Sequence, residues 1–156
     1  MNPKDPPPQD TDNAGIRVPP PLIFLGFLIL GLVFDSDFSL SWNTVLGGLI
    51  AIVGLILILK SVPKHKEAGT NVEPWEPTHA IISTGLYAYT RNPIYLGMAV
   101  THGGIAIAAA SLGALISLIA AVIVIQTYVI AREERYLSEK FGQEYMDYKN
   151  KVRRWI

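Results

Sequence analysis

The chain has 156 residues, with 13 Lys and Arg against 13 Asp and Glu, three His and no Cys; 50% is hydrophobic, 17% is charged, and the mean hydropathy is +0.32. Zero net charge leaves no basic excess to displace phosphate counterions, which argues against a nucleic-acid partner. Lack of cysteine excludes disulfides, thiolate nucleophiles and cysteine-ligated zinc, and three scattered histidines without HExxH or HxxxH spacing argue against any metal centre.

Residues 1–21 hold seven of the eleven prolines, so residues 1–18 are expected to form a disordered, Pro-rich cytoplasmic tail. Acidic residues precede the first apolar run and no small-residue cleavage site follows Phe34, a pattern unlike a signal peptide. Three uncharged blocks follow: Val18–Phe34 (17 residues), Phe38–Leu59 (22) and Asn92–Ala131 (40). As helices they would measure roughly 25, 33 and 60 Å, against a hydrocarbon core of about 30 Å. The third is long enough to cross twice, with a turn at Ala109-Ala110-Ser111-Leu112-Gly113. The reading is an all-α polytopic membrane protein: a 19–156 membrane domain with about four transmembrane helices, at 19–35, 42–60, 93–110 and 113–131, and a cytoplasmic C-terminal amphipathic helix.

Lys4 and Arg17 precede the first span, Lys60, Lys64, Lys66 and Arg91 lie between the second and third, and seven more basic residues follow the fourth. All 13 then fall on one side, which the positive-inside rule makes the cytoplasm, with both termini there. A soluble bundle would not segregate charge so completely. Trp42 and Tyr128 suit an interfacial aromatic belt. Small residues recur at Gly47, Ala51 and Gly54, and at Gly97, Thr101, Gly104 and Ala108, stripes that let helices approach closely. His102, inside the third span, is either a group on an acceptor tunnel or one end of a hydrogen bond between helices, for instance to Gln126. His65 and His79 read as solvent-exposed loop residues, and Trp75 as a headgroup anchor.

Two stretches carry more than packing requires. In Gly85-Leu-Tyr-Ala-Tyr-Thr-Arg-Asn-Pro-Ile-Tyr-Leu-Gly97, Asn92-Pro93 reads as an N-cap with proline at N1. Arg91 with Tyr87, Tyr89 and Tyr95 at that helix mouth suits either an anion site or an interfacial tyrosine belt. In the second stretch, Arg132 to Tyr148, the adjacent Glu133 and Glu134 stand two residues past the last apolar turn. They are either the face of a solvated helix balanced by Arg132 and Arg135, or acids awaiting a cation. Gly142 is a natural C-cap.

Together the two stretches resemble the isoprenylcysteine carboxyl methyltransferase family and its relatives among membrane phospholipid methyltransferases. The pattern Gly-x-Tyr-x-x-x-Arg-His/Asn-Pro-x-Tyr-x-Gly falls on Gly85, Tyr87, Arg91, Asn92, Pro93, Tyr95 and Gly97. The C-terminal pattern falls on Glu133, Glu134, Leu137, Phe141, Gly142, Glu144, Tyr145, Tyr148 and Val152. The likeness covers residues 60–152, and Asn92 stands where eukaryotic members carry His, as in many bacterial relatives.

The resemblance implies an S-adenosylmethionine-dependent methyltransferase in a bacterial inner membrane, with a lipophilic or small acceptor: an isoprenylcysteine-like carboxylate, an isoprenoid or phospholipid amine, or a thiol. Its cofactor region would be 60–95 and 131–156. Tyr87, Arg91, Asn92, Pro93, Tyr95, Leu96, Glu133 and Glu134 would bind the cofactor, with Arg91, Glu133 and Glu134 closest to the chemistry. Arg91 would hold either the cofactor carboxylate or an anionic substrate. Two other classes remain at this stage, an NADPH-dependent membrane reductase related to sterol reductases and a non-catalytic membrane scaffold.

Overall fold

The computed structural model describes residues 12–37 and 41–156. Among these the fold is helical, its one piece of extended pairing an isolated bridge between Thr90 and Arg153. The apolar helices are α1 (Pro20–Phe34), α2 (Trp42–Glu67), α3 (Pro93–Ala108) and α4 (Leu112–Val124). A π-helical stretch, Ile125–Ile130, leads from α4 into α5 (Ala131–Phe141), and α6 (Gln143–Lys151) follows. Prolines in the first turn start both α1 and α3, where a missing N–H costs nothing. Gly142 adopts φ +52° and ends α5, the C-cap role expected of it, and the C-terminal stretch continues as a second helix, α6.

The small-residue stripes bring α2 and α3 nearly into backbone contact. A β-carbon on Gly47 would lie 2.3 Å from the Ala108 nitrogen, and one on Gly54 would lie 2.4 Å from Thr101 Oγ1. Gly104 meets Ala51 and Gly47 from the other side. On the opposite flank α1 packs against α4, with Gly31 against Ala114 and Ser117. Asp35, just past α1, caps α4: it accepts from the Leu112 and Gly113 nitrogens at 3.0 Å each and from Ser111 Oγ at 2.8 Å. Ser111 Oγ in turn accepts from the Ala114 nitrogen at 2.9 Å, completing the first turn.

The outer faces are apolar. Leu22, Leu25, Ile29, Leu49, Ile52, Leu55, Ile116 and Ile119 are all exposed, and Leu59 is 71% exposed. The most apolar 18 residues of α2 are only 17% buried, the reverse of a soluble core helix. Among the described residues, α2 and the continuous helix Leu112–Phe141 are the two that by length and composition are able to cross a membrane; α1 and α3 are shorter apolar helices. The uncharged runs end at Leu59 and Ala131, so the charged last turn of α2 and all of α5 beyond Ala131 lie past the apolar segments.

The expected tail is corrected in part. Residues 1–11 lie outside the described residues, but residues 12–18 are docked along the charged end of the bundle. Ile16 is 2% exposed and packs in the cluster of Ile125, Val129 and Ile130. Lys140 pairs with Asp12 at 2.5 Å, Tyr136 donates to the same carboxylate at 2.8 Å, and Arg132 donates to the Gly15 carbonyl at 3.3 Å. An apolar anchor flanked by charged ties orders a segment that proline content alone marked as mobile.

Candidate functional site

At the charged end of the bundle the elements surround a cavity of about 370 Å³. The last turn of α2 gives one wall, the loop from Thr70 to Ile82 a second, the start of α3 a third, and α5 with α6 the rest. A short 3-10 turn, Gly85–Ala88, tucks Tyr87 inward, and Gly85 takes φ +63° to make that turn.

Arg91 organises the floor. Its Nη1 donates to the carbonyls of Lys149 and Val152, at 3.1 and 2.5 Å, and its Nη2 donates to Glu134 at 2.7 Å. Only its Nε is buried without a partner. Glu134 is gripped from the other side by Arg154, whose Nε and Nη2 donate at 2.9 and 2.7 Å, with Lys149 Nζ 3.5 Å away. Burial works against ionisation here, but the hydrogen bonds from Arg154 and Arg91 outweigh it and hold the Glu134 carboxyl down at about 2. Asn92 does not cap α3 with its side chain. Its Nδ2 donates to the Arg154 carbonyl at 2.9 Å, while the Arg91 nitrogen donates to the Arg153 carbonyl at 2.9 Å. The extended C-terminal segment is thus stitched to the mouth of α3.

Glu133 has a different setting. Tyr95 donates to it at 2.7 Å, and no cation pairs with it among the described residues. Burial pushes its carboxyl up to about 7; the Tyr95 hydrogen bond opposes the rise and the neighbouring Glu134 charge adds to it. The surrounding wall is aromatic: Tyr87, Tyr95, Tyr145, Tyr148 and Trp75 all line the cavity. Tyr148 donates to the Tyr87 carbonyl at 2.8 Å, and burial raises the Tyr87 phenol. A carboxylate without an ion pair among aromatic faces can receive an organic cation.

Of the residues singled out from sequence, Tyr87, Arg91, Asn92, Tyr95, Glu133 and Glu134 line this cavity. Pro93 and Leu96 stand behind the wall rather than on it. His102 lies outside the cavity: its Nε2 is 3.1 Å from the Ala114 carbonyl and 3.3 Å from Ser117 Oγ, tying α3 to α4. Gln126, the partner suggested for it, accepts instead from Trp155 Nε1 at 2.9 Å. Trp75 turns to the cavity wall, and His65 is not in a loop at all. It sits in the last turn of α2, half-buried, lining the cavity with its ring edge-on to Tyr87 at 5.6 Å. No spacing marks His65; only the continuation of α2 through Pro63 brings it there. Tyr145 and Tyr148 were within the C-terminal pattern, but α6 had to fold back before either reached the site.

An outward-apolar helical scaffold with a carboxylate-bearing cavity beneath its last helices defines a membrane protein equipped for a small molecule. The chain belongs to the phospholipid methyltransferase family, which matches residues 42–144. It is also similar to the protein-S-isoprenylcysteine O-methyltransferase of Saccharomyces cerevisiae, 30% identical over 125 residues that cover 77% of this chain and 51% of the yeast protein. An uncharacterized protein of Haemophilus influenzae is 60% identical over 35 residues, 22% of this chain and 56% of that one. The chain therefore spans about half the length of the curated relatives it matches. No solved structure matches.

Proposed function

We propose that the protein is an S-adenosylmethionine-dependent methyltransferase that crosses a bacterial inner membrane four times, with its cavity and both ends cytoplasmic, and passes the methyl group to a lipophilic or small acceptor. Glu133 carries this reading: a carboxylate without a cation, held by Tyr95 at 2.7 Å inside a cavity. The donor set fits the cofactor, whose sulfonium and ammonium groups are both cations. The cavity, about 370 Å³, falls within the roughly 300–1,000 Å³ usual for small-molecule sites. The family match supports methyl transfer over the NADPH-dependent alternative.

When bound, S-adenosylmethionine supplies an electrophilic methyl group on a cationic sulfur. Glu133 takes the cationic end, and Tyr95 fixes the orientation of that carboxylate. Arg91 has both terminal nitrogens committed, so it acts as a positioning residue: with Glu134 and Arg154 it clamps α3, α5 and the C-terminal segment into one rigid floor. Asn92 reinforces that floor, and Pro93 and Leu96 set the start of α3 behind it. Ile81, Ile94, Met98 and Leu137 keep water from the cavity wall. Methyl transfer from a sulfonium neutralises charge when the acceptor is an anion and moves it onto the acceptor when that is neutral, so alignment and desolvation supply most of the catalysis; orientation alone can contribute roughly 7–11 kcal/mol.

Calorimetry on detergent-purified protein tests the reading. S-Adenosylmethionine and S-adenosylhomocysteine should bind and NADPH should not, and both Glu133→Ala and Arg91→Ala should weaken binding. Binding of NADPH alone would replace this function with the reductase. No binding of any of the three to folded protein would leave a scaffold.

A further inference from the structure

We infer that Arg17, Arg132 and Arg135 form a docking site for the headgroup of an anionic phospholipid, on the outside of the bundle where α1 begins and the fourth apolar helix passes into α5. The site needs only that the apolar faces lie in lipid, and it is independent of what the cavity binds. Tyr128, three residues before the uncharged run ends at Ala131, is its centre. The Arg132 guanidinium stacks over the Tyr128 ring, 4.7 Å from the centroid, and the Arg17 nitrogen donates to the Tyr128 hydroxyl at 3.3 Å. Arg135 follows one turn after Arg132 on the same face of α5. All three arginines are exposed. Among the described residues none of them has an ion pair, and Arg132 spends only Nη1, on the Gly15 carbonyl at 3.3 Å. The neighbouring acids do not neutralise them, because Glu134 is held by Arg91 and Arg154 and Glu133 accepts from Tyr95.

Depth selects the partner. The headgroup layer is about 5–8 Å thick on each side of the hydrocarbon. Counted along the helix from Ala131, Arg132 and Arg135 lie about 1.5 and 6 Å out, inside that layer. Glu139 lies about 12 Å out, beyond it, and so does Lys140, which already pairs with Asp12. Uncompensated guanidinium groups at headgroup depth attract a phosphate, and each can grip it with two parallel N–H bonds. The surface that continues from the site marks the ligand as a lipid rather than a free phosphate. Leu22, Leu25, Ile29 and Val33 recur at i, i+3, i+7 and i+11 and form one apolar stripe down α1, each between 50% and 76% exposed. An acyl chain lying on that stripe leads up to the start of α1, where Arg17 stands.

Native mass spectrometry of the full chain in detergent tests the site, with dioleoylphosphatidylglycerol, dioleoylphosphatidylcholine and, as the free phosphate, glycerol phosphate as probes. Phosphatidylglycerol should bind about tenfold or more tightly than phosphatidylcholine, and glycerol phosphate should not be retained. One basic residue near an anionic surface is worth roughly a factor of five, so Arg135→Gln should weaken phosphatidylglycerol about fivefold, and Arg17→Gln combined with it about 25-fold. Arg135 makes no hydrogen bond or ion pair among the described residues, so its loss removes no internal tie, and Arg135→Lys should restore most of the binding. Lys60→Gln removes an exposed charge one residue past the apolar run of α2 and should leave the affinity within about twofold. Equal affinity for the two lipids, no loss in Arg135→Gln, or an equal loss in Lys60→Gln overturns the site. Retention of glycerol phosphate as tightly as phosphatidylglycerol makes this a site for soluble anions and overturns the lipid assignment. None of these readouts involves S-adenosylmethionine, so they stand or fall apart from the methyltransferase function.

Discussion

Replacing Glu133 by Gln keeps the side chain's shape and its hydrogen bond from Tyr95 but removes the charge offered to the cofactor. With the carboxyl raised to about 7, wild-type protein presents that charge only part of the time. By simple titration the ionised fraction is about one-tenth at pH 6, one-half at pH 7 and nine-tenths at pH 8. If the carboxylate form alone accepts the cation, affinity for S-adenosylmethionine should rise about tenfold from pH 6 to pH 8. Binding near pH 6.5 should also release protons, because a bound cation draws the carboxyl back toward its ordinary range; calorimetry in buffers of different ionisation enthalpy reads this directly. Glu133→Gln should bind about 10- to 150-fold more weakly at pH 8, the worth of one charge-assisted hydrogen bond of roughly 1.5–3 kcal/mol. Its affinity should also lose the pH dependence. A wild-type affinity that is flat between pH 6 and 8, or a Gln variant that binds as well as wild type, would refute the assignment of Glu133 to the cation.

Three further outcomes concern the frame. Gly54→Ala should destabilise the protein by about 1–3 kcal/mol, since the added carbon would sit 2.4 Å from Thr101 Oγ1, whereas Gly48→Ala, in the interior of α2 with open space around it, should hold or raise the melting temperature. Asp35→Ala removes the acceptor for the Leu112 and Gly113 nitrogens at the start of α4 and should lower the melting temperature in the same thermal assay. Arg91→Ala breaks a buried pair, and a loss of about 3 kcal/mol is expected. Because Glu134 is held down at about 2, the stability it confers is complete above the ordinary carboxylate range and is lost as pH falls through it toward 2. Thermal scans at pH 3 should therefore show a smaller difference between Arg91→Ala and wild type than scans at pH 7.

The helices were legible because hydrophobic runs and punctuation agree: α1, α2 and α3 begin within a residue of their expected starts, at the prolines and at Trp42. The glycine stripes were legible too, since only their own spacing is needed to place Gly47, Gly54, Gly97 and Gly104 on one seam. What local pattern does not contain is long-range pairing. The two glutamates look equivalent in sequence; they differ because Arg154, twenty residues on, turns back to one of them and not the other. His65 and the docked segment 12–18 escaped for the same reason, since each is defined by a partner remote in the chain. His102 was noticed as an oddity inside an apolar run, and its partners on α4 give it a packing role that composition could not distinguish from a ligand's.

The π-helical stretch above α5 sets an angle as well as a bend. A π turn absorbs one residue beyond the α-helical count, and one residue corresponds to about 100° of rotation around the helix axis. Everything beyond Ile130 is therefore phased differently from a simple continuation of α4. That rotation decides which of two consecutive acids meets Tyr95 and which meets the arginines. Removing a single residue between Ile125 and Ile130 would turn α5 like a dial, carrying Glu133 away from Tyr95 with every side chain of the site still encoded.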